Sequence, residues 1–330
     1  MKRSILHFVT ALATLALLAT MASSAVAIDL QGHRGTRGLA PENTLAAFKT
    51  ALAIGVTTLE TDLALTRDDV LVLSHEPRLY AALTRGSDGR WLSEDGATIF
   101  SLKADELAQY DIGRLNPAHN YAAQWTEQRS SDGERIPTLQ QLFELARDAR
   151  SPGGRPVRFN IETKITPTSG DTTPDAERYA RAVVDAVRAA KVSERVTVQS
   201  FDWRTLREVR KLAPELSTAC LTIDSSSMNT VLADASGASP WHAGLKAADY
   251  GGSLPRMAQA AGCGTWAPFW RNVTADNIAE AHALKLKIIP WTVNDPTEIE
   301  RLAALGVDGI ITDYPDRARR ALVARNIAID

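Results

Sequence analysis

The sequence predicts an α/β fold, a distorted (β/α)8 barrel of the TIM type carrying a small inserted subdomain. Three observations lead there. From Ile28 onward short apolar runs alternate with helical patterns, the signature of parallel strands joined by crossover helices. At 330 residues with 45% hydrophobic and 23% charged content, the chain can bury one large core, and a barrel of this kind takes ~250 residues as a single unit. The one long stretch that breaks the rhythm, about 76–155, is rich in Gly, Ser and Asp clusters, and a compact domain does not hold eighty structureless residues. It reads as a small insertion over one end of the barrel.

The first 27 residues read as a cleaved export leader. Lys2 and Arg3 make a basic start, Ile5 to Leu18 an apolar run, and Ala25-Val26-Ala27 a small-residue cleavage site. The run is shorter than the roughly 20 residues needed to span a bilayer. The mature chain, 28–330, is therefore expected in the periplasm or secreted, with no stable membrane insertion. Loss of Lys2 and Arg3 takes the net charge from −2 to −4, which leaves no basic field for nucleic acid. No protein partner is indicated. Cys220 and Cys263 have a choice between a disulfide and two buried thiols on neighbouring strands, and the thiols are the expectation.

Candidate strands fall at 29–33, 57–65, 70–75, 157–164, 195–201, 217–223, 264–268, 287–293 and 309–312. Nine runs exceed a barrel's eight positions. Only Thr66-Arg67-Asp68-Asp69 separates the second from the third, too little for a parallel crossover, so those two should form a hairpin or one bent edge. Helices are expected behind Asn43 as N-cap (Leu45, Phe48, Leu52) and behind Thr138 (Leu139, Leu142, Phe143, Ala146). Others are expected around Tyr179-Val183-Val187, before Pro214, around Ile299 and Leu302, and from Pro315 to the end. A second loop-like tract, Ser225 to Gly264, is expected to project from the same end as the insertion.

On this scaffold the chemistry-bearing residues gather at strand ends. Glu60 and Asp62, two apart on one strand, share a face, and on a later strand Asn160, Glu162 and Lys164 do the same. Acids aimed into a barrel repel unless a cation lies between them. Glu60, Asp62 and Glu162 therefore read as an all-oxygen site for one divalent cation, Mg²⁺ or Ca²⁺ rather than zinc. His33 ends the first strand and His75 the third, and together they look like an acid–base pair. Arg34 and Lys164 add fixed positive charge suited to an anion, most naturally phosphate. Trp291 offers an apolar wall for a small organic group. Glu42 can pair with Arg34 and aim it, though Pro41 to Thr44 reads mainly as a helix start. Asp313 reads as a structural acid at a strand end, and His119, His242 and His282 as surface residues.

Taken in order, Gly32-His33-Arg34-Gly35, Pro41-Glu42-Asn43-Thr44, Glu60-Thr61-Asp62, His75, Asn160-Ile161-Glu162-Thr163-Lys164, Gln199-Ser200-Phe201, Trp291-Thr292-Val293-Asn294 and Asp308-Gly309-Ile310-Ile311-Thr312-Asp313 span nearly the whole mature chain. As an ordered set they resemble the glycerophosphodiester phosphodiesterase family. The resemblance implies an α/β barrel with an insertion after the strand ending at His75. It implies that Glu60, Asp62 and Glu162 hold the cation and that His33 and His75 act as base and acid, with Arg34 and Lys164 on the phosphate. It implies hydrolysis of deacylated phospholipids to sn-glycerol 3-phosphate and an alcohol. Exported members are often Ca²⁺-dependent, which puts Ca²⁺ ahead of Mg²⁺ here. One departure is that many relatives follow the second histidine with Asp and an Arg-Thr-Thr-like run, where this chain has His75-Glu76-Pro77-Arg78. Two other readings fit the same residues: a phospholipase D-like enzyme on lysolipid or sphingolipid, and an exported binding protein without turnover.

Overall fold

In the computed structural model, residues 27–330 are described, and the predicted leader falls outside them except for Ala27. Nine strands form one sheet: β1 (Asp29–Gly32), β2 (Thr58–Leu65), β3 (Leu71–Leu73), β4 (Arg158–Thr163), β5 (Val196–Ser200), β6 (Ser217–Thr222), β7 (Thr265–Pro268), β8 (Lys287–Ile288) and β9 (Gly309–Thr312). Eight run parallel in the order β8-β7-β6-β5-β4-β2-β1-β9, and β3 pairs with β2 alone. The seam between β8 and β9 is bridged by backbone hydrogen bonds from Asp308 to Ile288, from Ile311 to Pro290 and from Val293 to Ile311. This is the expected barrel.

The helices are α1 (Leu45–Ile54), α2 (Ala104–Leu107), α3 (Leu139–Leu145), α4 (Ala176–Ala190), α5 (Trp203–Leu212), α6 (Leu254–Ala260), α7 (Ala275–Ala283), α8 (Pro296–Leu305) and α9 (Pro315–Ala324). Their apolar stripes cover the outward faces of the strands. Phe48, Leu142, Phe143, Tyr179 and Val183 pack with Leu59, Leu63, Phe159, Ile161 and Val198 in a single core. Thr138 caps α3 as predicted and forms a capping box with Gln141. The cap of α1 differs from expectation: Thr44 accepts from the Ala47 N–H at 3.2 Å, and Asn43 stands in a left-handed conformation outside the helix. Asn43 is recruited instead by β2, where its amide donates to Asp62 at 3.0 Å and accepts from Thr61 at 2.8 Å.

The predicted hairpin is present. β2 and β3 pair antiparallel, Leu63 with Leu73 and Leu65 with Leu71, so the chain rises past the barrel rim and returns. Its descent ends with the Ser74 N–H on the Asp62 carbonyl at 3.0 Å, which brings His75 back to the level of the β2 acids. From Ser74 to Thr138 the chain has only two 3-10 turns and α2, and its Leu79, Ile99 and Leu107 form a small separate core with Val72 of β3. α3, inside the 76–155 stretch marked out by composition, packs against α1 and α4 in the outer ring. The tract from Ser225 to Gly264 is loop only up to about residue 246, since α6 lies within it.

Two further sequence expectations fail here. Cys220 on β6 and Cys263 just before β7 form a disulfide, with Cα atoms 5.9 Å apart, rather than two free thiols. Adjacent parallel strands put them within bridging reach, although 43 residues separate them in sequence. His242 is buried, 2% exposed, and stacks on Trp203 at 4.3 Å, so it is no surface residue.

Candidate active site

Inside the barrel the inward faces of β1, β2, β4 and β5 are polar from the floor upward. Arg158 meets Asp29 at 3.0 Å, Gln31 donates to Asp29, Asn160 donates to Gln31 and to Gln199, and Gln199 donates to Glu60. This amide ladder explains how Glu60 tolerates full burial, because one of its oxygens is met by a neutral donor. At the top of the ladder a cleft of about 500 Å³ opens at the C-terminal ends of the strands, the functional end of such barrels.

His33, Arg34, Glu60, Asp62, His75, Glu162, Lys164 and Trp291, all eight residues singled out from the sequence, line this one cleft. Carboxylate oxygens of Glu60, Asp62 and Glu162 lie within 4.8 Å of one another, and the three residues are buried. Without a cation the cluster is frustrated. Burial and the neighbouring Asp62 push the Glu60 carboxyl well above its ordinary range, and burial raises Glu162 despite Lys164 beside it. Burial would also raise Asp62, yet Arg34, His75 and Lys164 hold it far below the usual range. Asp62 Oδ1 is buried with no hydrogen-bond partner. An orphaned anionic oxygen within an all-oxygen donor set is what a hard divalent cation relieves, so these residues fit one.

The turn after β1 is shaped by its glycines. A Cβ on Gly32 would meet the Gly35 carbonyl at 2.1 Å, and Gly35, at φ +84°, packs on Ala47 of α1. This close turn sets Arg34 left-handed (φ 50°) and points its N–H at Glu60 Oε2, 2.8 Å away. The Arg34 side chain donates to Glu42 at 2.6 Å and lies 3.1 Å from Asp62. Pro41 to Thr44 is thus more than a helix start, because Glu42 aims Arg34 and Asn43 holds Asp62. Tyr121, from the inserted segment, hydrogen-bonds Glu42 from the other side.

Both histidines are oriented by carboxylates. His33 Nδ1 lies 2.6 Å from Asp313 Oδ1, and its Nε2 is 4.0 Å from Glu60. Asp313, read from sequence as a structural acid, is therefore the partner that aims His33. Arg37 grips both Asp313 oxygens, at 3.0 and 3.2 Å, and Asn294 donates to it at 2.7 Å. Burial would raise Asp313, but Arg37 and His33 hold it well below the usual carboxylate range. Burial lowers His33, with Asp313 pulling partly back. Across the cleft His75 Nδ1 lies 2.6 Å from Glu76 Oε1, so the residue that follows His75 in the chain makes the orienting contact. His75 Nε2 faces Lys164 Nζ at 3.0 Å, and Lys164 also donates to Glu162 at 2.9 Å. Burial, Arg34 and Lys164 push His75 down to about 4. Trp291 is half-buried, its indole N–H on the Ala267 carbonyl at 2.9 Å. Of the other histidines, His119 sits half-buried in the insertion and His282 is exposed, both away from the cleft.

Asp313 and Arg37 were missed because their work depends on partners distant in sequence. The available signal was an acid immediately after the last barrel strand, the place where active-site residues of such barrels sit.

Comparison with known proteins agrees with this architecture. The chain is 31% identical to a glycerophosphodiester phosphodiesterase of Caldanaerobacter subterraneus over 285 residues, 86% of this chain and 93% of that one. A solved structure from Silicibacter pomeroyi, provisionally named a glycerophosphoryl diester phosphodiesterase, superposes with a TM-score of 0.79 at 32% identity, over 92% of this chain and 96% of that one. An Oleispira antarctica phosphodiesterase in complex with the product sn-glycerol-3-phosphate shares the fold at 22% identity, with a TM-score of 0.64 over 89% of this chain and 96% of that one. The model of the glycerophosphoryl diester phosphodiesterase family matches residues 33–317, so the chain belongs to that family.

Proposed function

We propose that this glycerophosphodiester phosphodiesterase hydrolyses deacylated phospholipids to sn-glycerol 3-phosphate and an alcohol, with His33 and His75 sharing the proton transfers. The observation that carries this is the pairing of both rings: each Nδ1 is 2.6 Å from a carboxylate, and the two histidines line one cleft with Glu60, Asp62 and Glu162. An Nδ1–H held by a carboxylate turns each Nε2 toward the cleft: that of His33 lies 4.0 Å from Glu60, and that of His75 meets Lys164 Nζ at 3.0 Å, a contact that a phosphate on Lys164 would take over.

Lys164, 18% exposed at its side chain, is the cation best placed to meet a phosphate. Arg34, tied to Glu42 and Asp62, contributes its charge from a fixed position. One histidine, neutral, takes the proton of the glycerol hydroxyl as it bonds to phosphorus, and the other, protonated, gives its proton to the alcohol whose P–O bond breaks; water then opens the resulting cyclic phosphate with the two proton roles reversed, leaving sn-glycerol 3-phosphate. Glu60, Asp62 and Glu162 would hold a divalent cation, which when bound would supply charge stabilisation to the phosphoryl oxygens. Ca²⁺ is proposed ahead of Mg²⁺, in line with an exported enzyme. The Cys220–Cys263 disulfide supports an oxidising compartment. N-terminal sequencing of the secreted or periplasmic protein should begin at Ile28, and an intact Met1 on the active protein would count against export.

His33→Ala and His75→Ala should each lower turnover about 10²-fold or more with the fold retained. Near-normal turnover in either variant removes that residue from the mechanism. Chelation should abolish activity and added Ca²⁺ restore it, while indifference to chelator would refute the metal role.

A further inference from the structure

We propose that Tyr121 of the inserted segment is a positioning residue for phosphate binding: its hydroxyl fixes Glu42, and Glu42 fixes the Arg34 guanidinium that serves the substrate phosphate. This rests on the phosphodiesterase reading above and makes the insertion part of the site.

Arg34 lines the cleft and is less secured than its burial suggests. Among the described residues its guanidinium makes one hydrogen bond, from Nη1 to Glu42 Oε1 at 2.6 Å. Its Nε lies 3.1 Å from Asp62 but has no hydrogen-bond partner. The aim of Arg34 therefore depends on where Glu42 stands. The Glu42 carboxylate has two hydrogen-bond partners among the described residues, Arg34 on Oε1 and the Tyr121 hydroxyl on Oε2. It also borders a cavity of about 400 Å³ shared with His75 and Tyr80. Beside open space, a carboxylate held at one oxygen alone would swing and take the arginine with it.

Tyr121 reaches this pair from 79 residues away in sequence, and its own place is set. Its ring meets those of Tyr80 and Trp125 edge-on, at 5.6 and 5.9 Å. Trp125 lies 4.2 Å from the Arg37 guanidinium, and Gln128 donates to the Arg37 carbonyl at 2.8 Å. The Tyr121 hydroxyl accepts from Arg37 Nη1 at 3.4 Å, so its single proton goes to Glu42. Burial and the Glu42 charge raise the phenol above its ordinary range, which keeps that proton in place.

The contact with Arg37 defines a rival route, because Arg37 grips the Asp313 that orients His33. A hydroxyl working through Arg37 would govern proton transfer, and so kcat. One working through Glu42 governs phosphate affinity. The geometry favours the second. Arg37 already has two donors on Asp313 and a ring against its face, whereas Arg34 depends on Glu42.

The test reads turnover and affinity separately on metal-replete enzyme. Glycerophosphocholine is the substrate, and sn-glycerol 3-phosphate is the probe for calorimetric binding. Tyr121→Phe keeps the ring and removes the hydroxyl. KM and the Kd for sn-glycerol 3-phosphate should each rise about tenfold, the scale of one hydrogen bond to a charged group, with kcat held within about threefold. Glu42→Gln should raise both by a similar factor, and adding Tyr121→Phe to it should change them by less than about twofold. Effects that multiply would show the two residues acting independently and overturn the relay. A loss confined to kcat that vanishes on an Asp313→Asn background would overturn it in favour of the Arg37 route. If circular dichroism shows Tyr121→Phe unfolded, Glu42→Gln decides alone, and an unchanged Kd there refutes the link to Arg34. A wild type that leaves glycerophosphocholine intact would bring down the phosphodiesterase reading instead, and the Kd comparison would still decide the role of Tyr121.

Discussion

His33 and His75 line one cleft with the same three carboxylates, yet the two sides of that cleft hold them differently. The His33 side is built from the barrel: Asp313 is buried at the end of β9, gripped by Arg37 and Asn294, and Arg37 lies over the Trp125 ring at 4.2 Å. The His75 side is built from the return of a hairpin and the start of the insertion. Its orienting acid is the next residue in sequence, and the Glu76 side chain is 43% exposed. A third histidine, His242, is buried with Nε2 unpartnered and has no carboxylate at all. The difference teaches that orienting a histidine rigidly takes a carboxylate that is itself held from several directions. A neighbouring acid on a half-exposed loop supplies the contact without the frame.

The comparison can be broken by charge removal. Asp313→Asn keeps the shape and removes the anion that fixes the His33 tautomer, so kcat should fall roughly 10²-fold with KM little changed, measured on any glycerophosphodiester the enzyme turns over. His242 sharpens the contrast through stability. Burial alone pushes it to about 4, so it folds neutral. The unfolded chain binds more protons below about 6.5, and stability is therefore lost as pH falls from there toward 4. His242→Phe should remove roughly 2 kcal/mol of that acid sensitivity by pH 5, read as the difference in urea unfolding between pH 7 and pH 5. An unchanged pH dependence would show that His242 does not titrate on unfolding in this range. The smallest effect is expected at Glu76→Gln, a few-fold in kcat at most, because solvent can replace a half-exposed partner. If Glu76→Gln proved as damaging as Asp313→Asn, the two sides would be equivalent and the distinction would fall.

Much of the site was legible because it follows local periodicity. On a strand, residues two apart share a face, so Glu60 with Asp62 and Asn160 with Glu162 could be aimed into the barrel from spacing alone. The hairpin followed from a connection too short to cross over, and the helices from their apolar stripes. The readings that failed share another property. Asn43 satisfied every local rule for a helix cap, but the Asp62 carboxylate of β2 recruited its amide and Thr44 took the cap. His242 lay in a polar tract, and only the fold put Trp203 under it. The cysteines were 43 residues apart until β6 and β7 paired.

The sequence by itself determined the barrel, the cation-ready acids, the two histidines and the positive charge beside them, because alternation and strand-end position are properties of neighbours in the chain. Only the tertiary structure decided which carboxylate orients which histidine, that Asn43 holds Asp62, and that Glu42 does aim Arg34. Asp313 is 280 residues from His33, and their 2.6 Å contact exists because β9 pairs with β1 in one register, aligning Gly32 with Thr312. Register and closure are set by the packing of the whole barrel, and no local pattern encodes them.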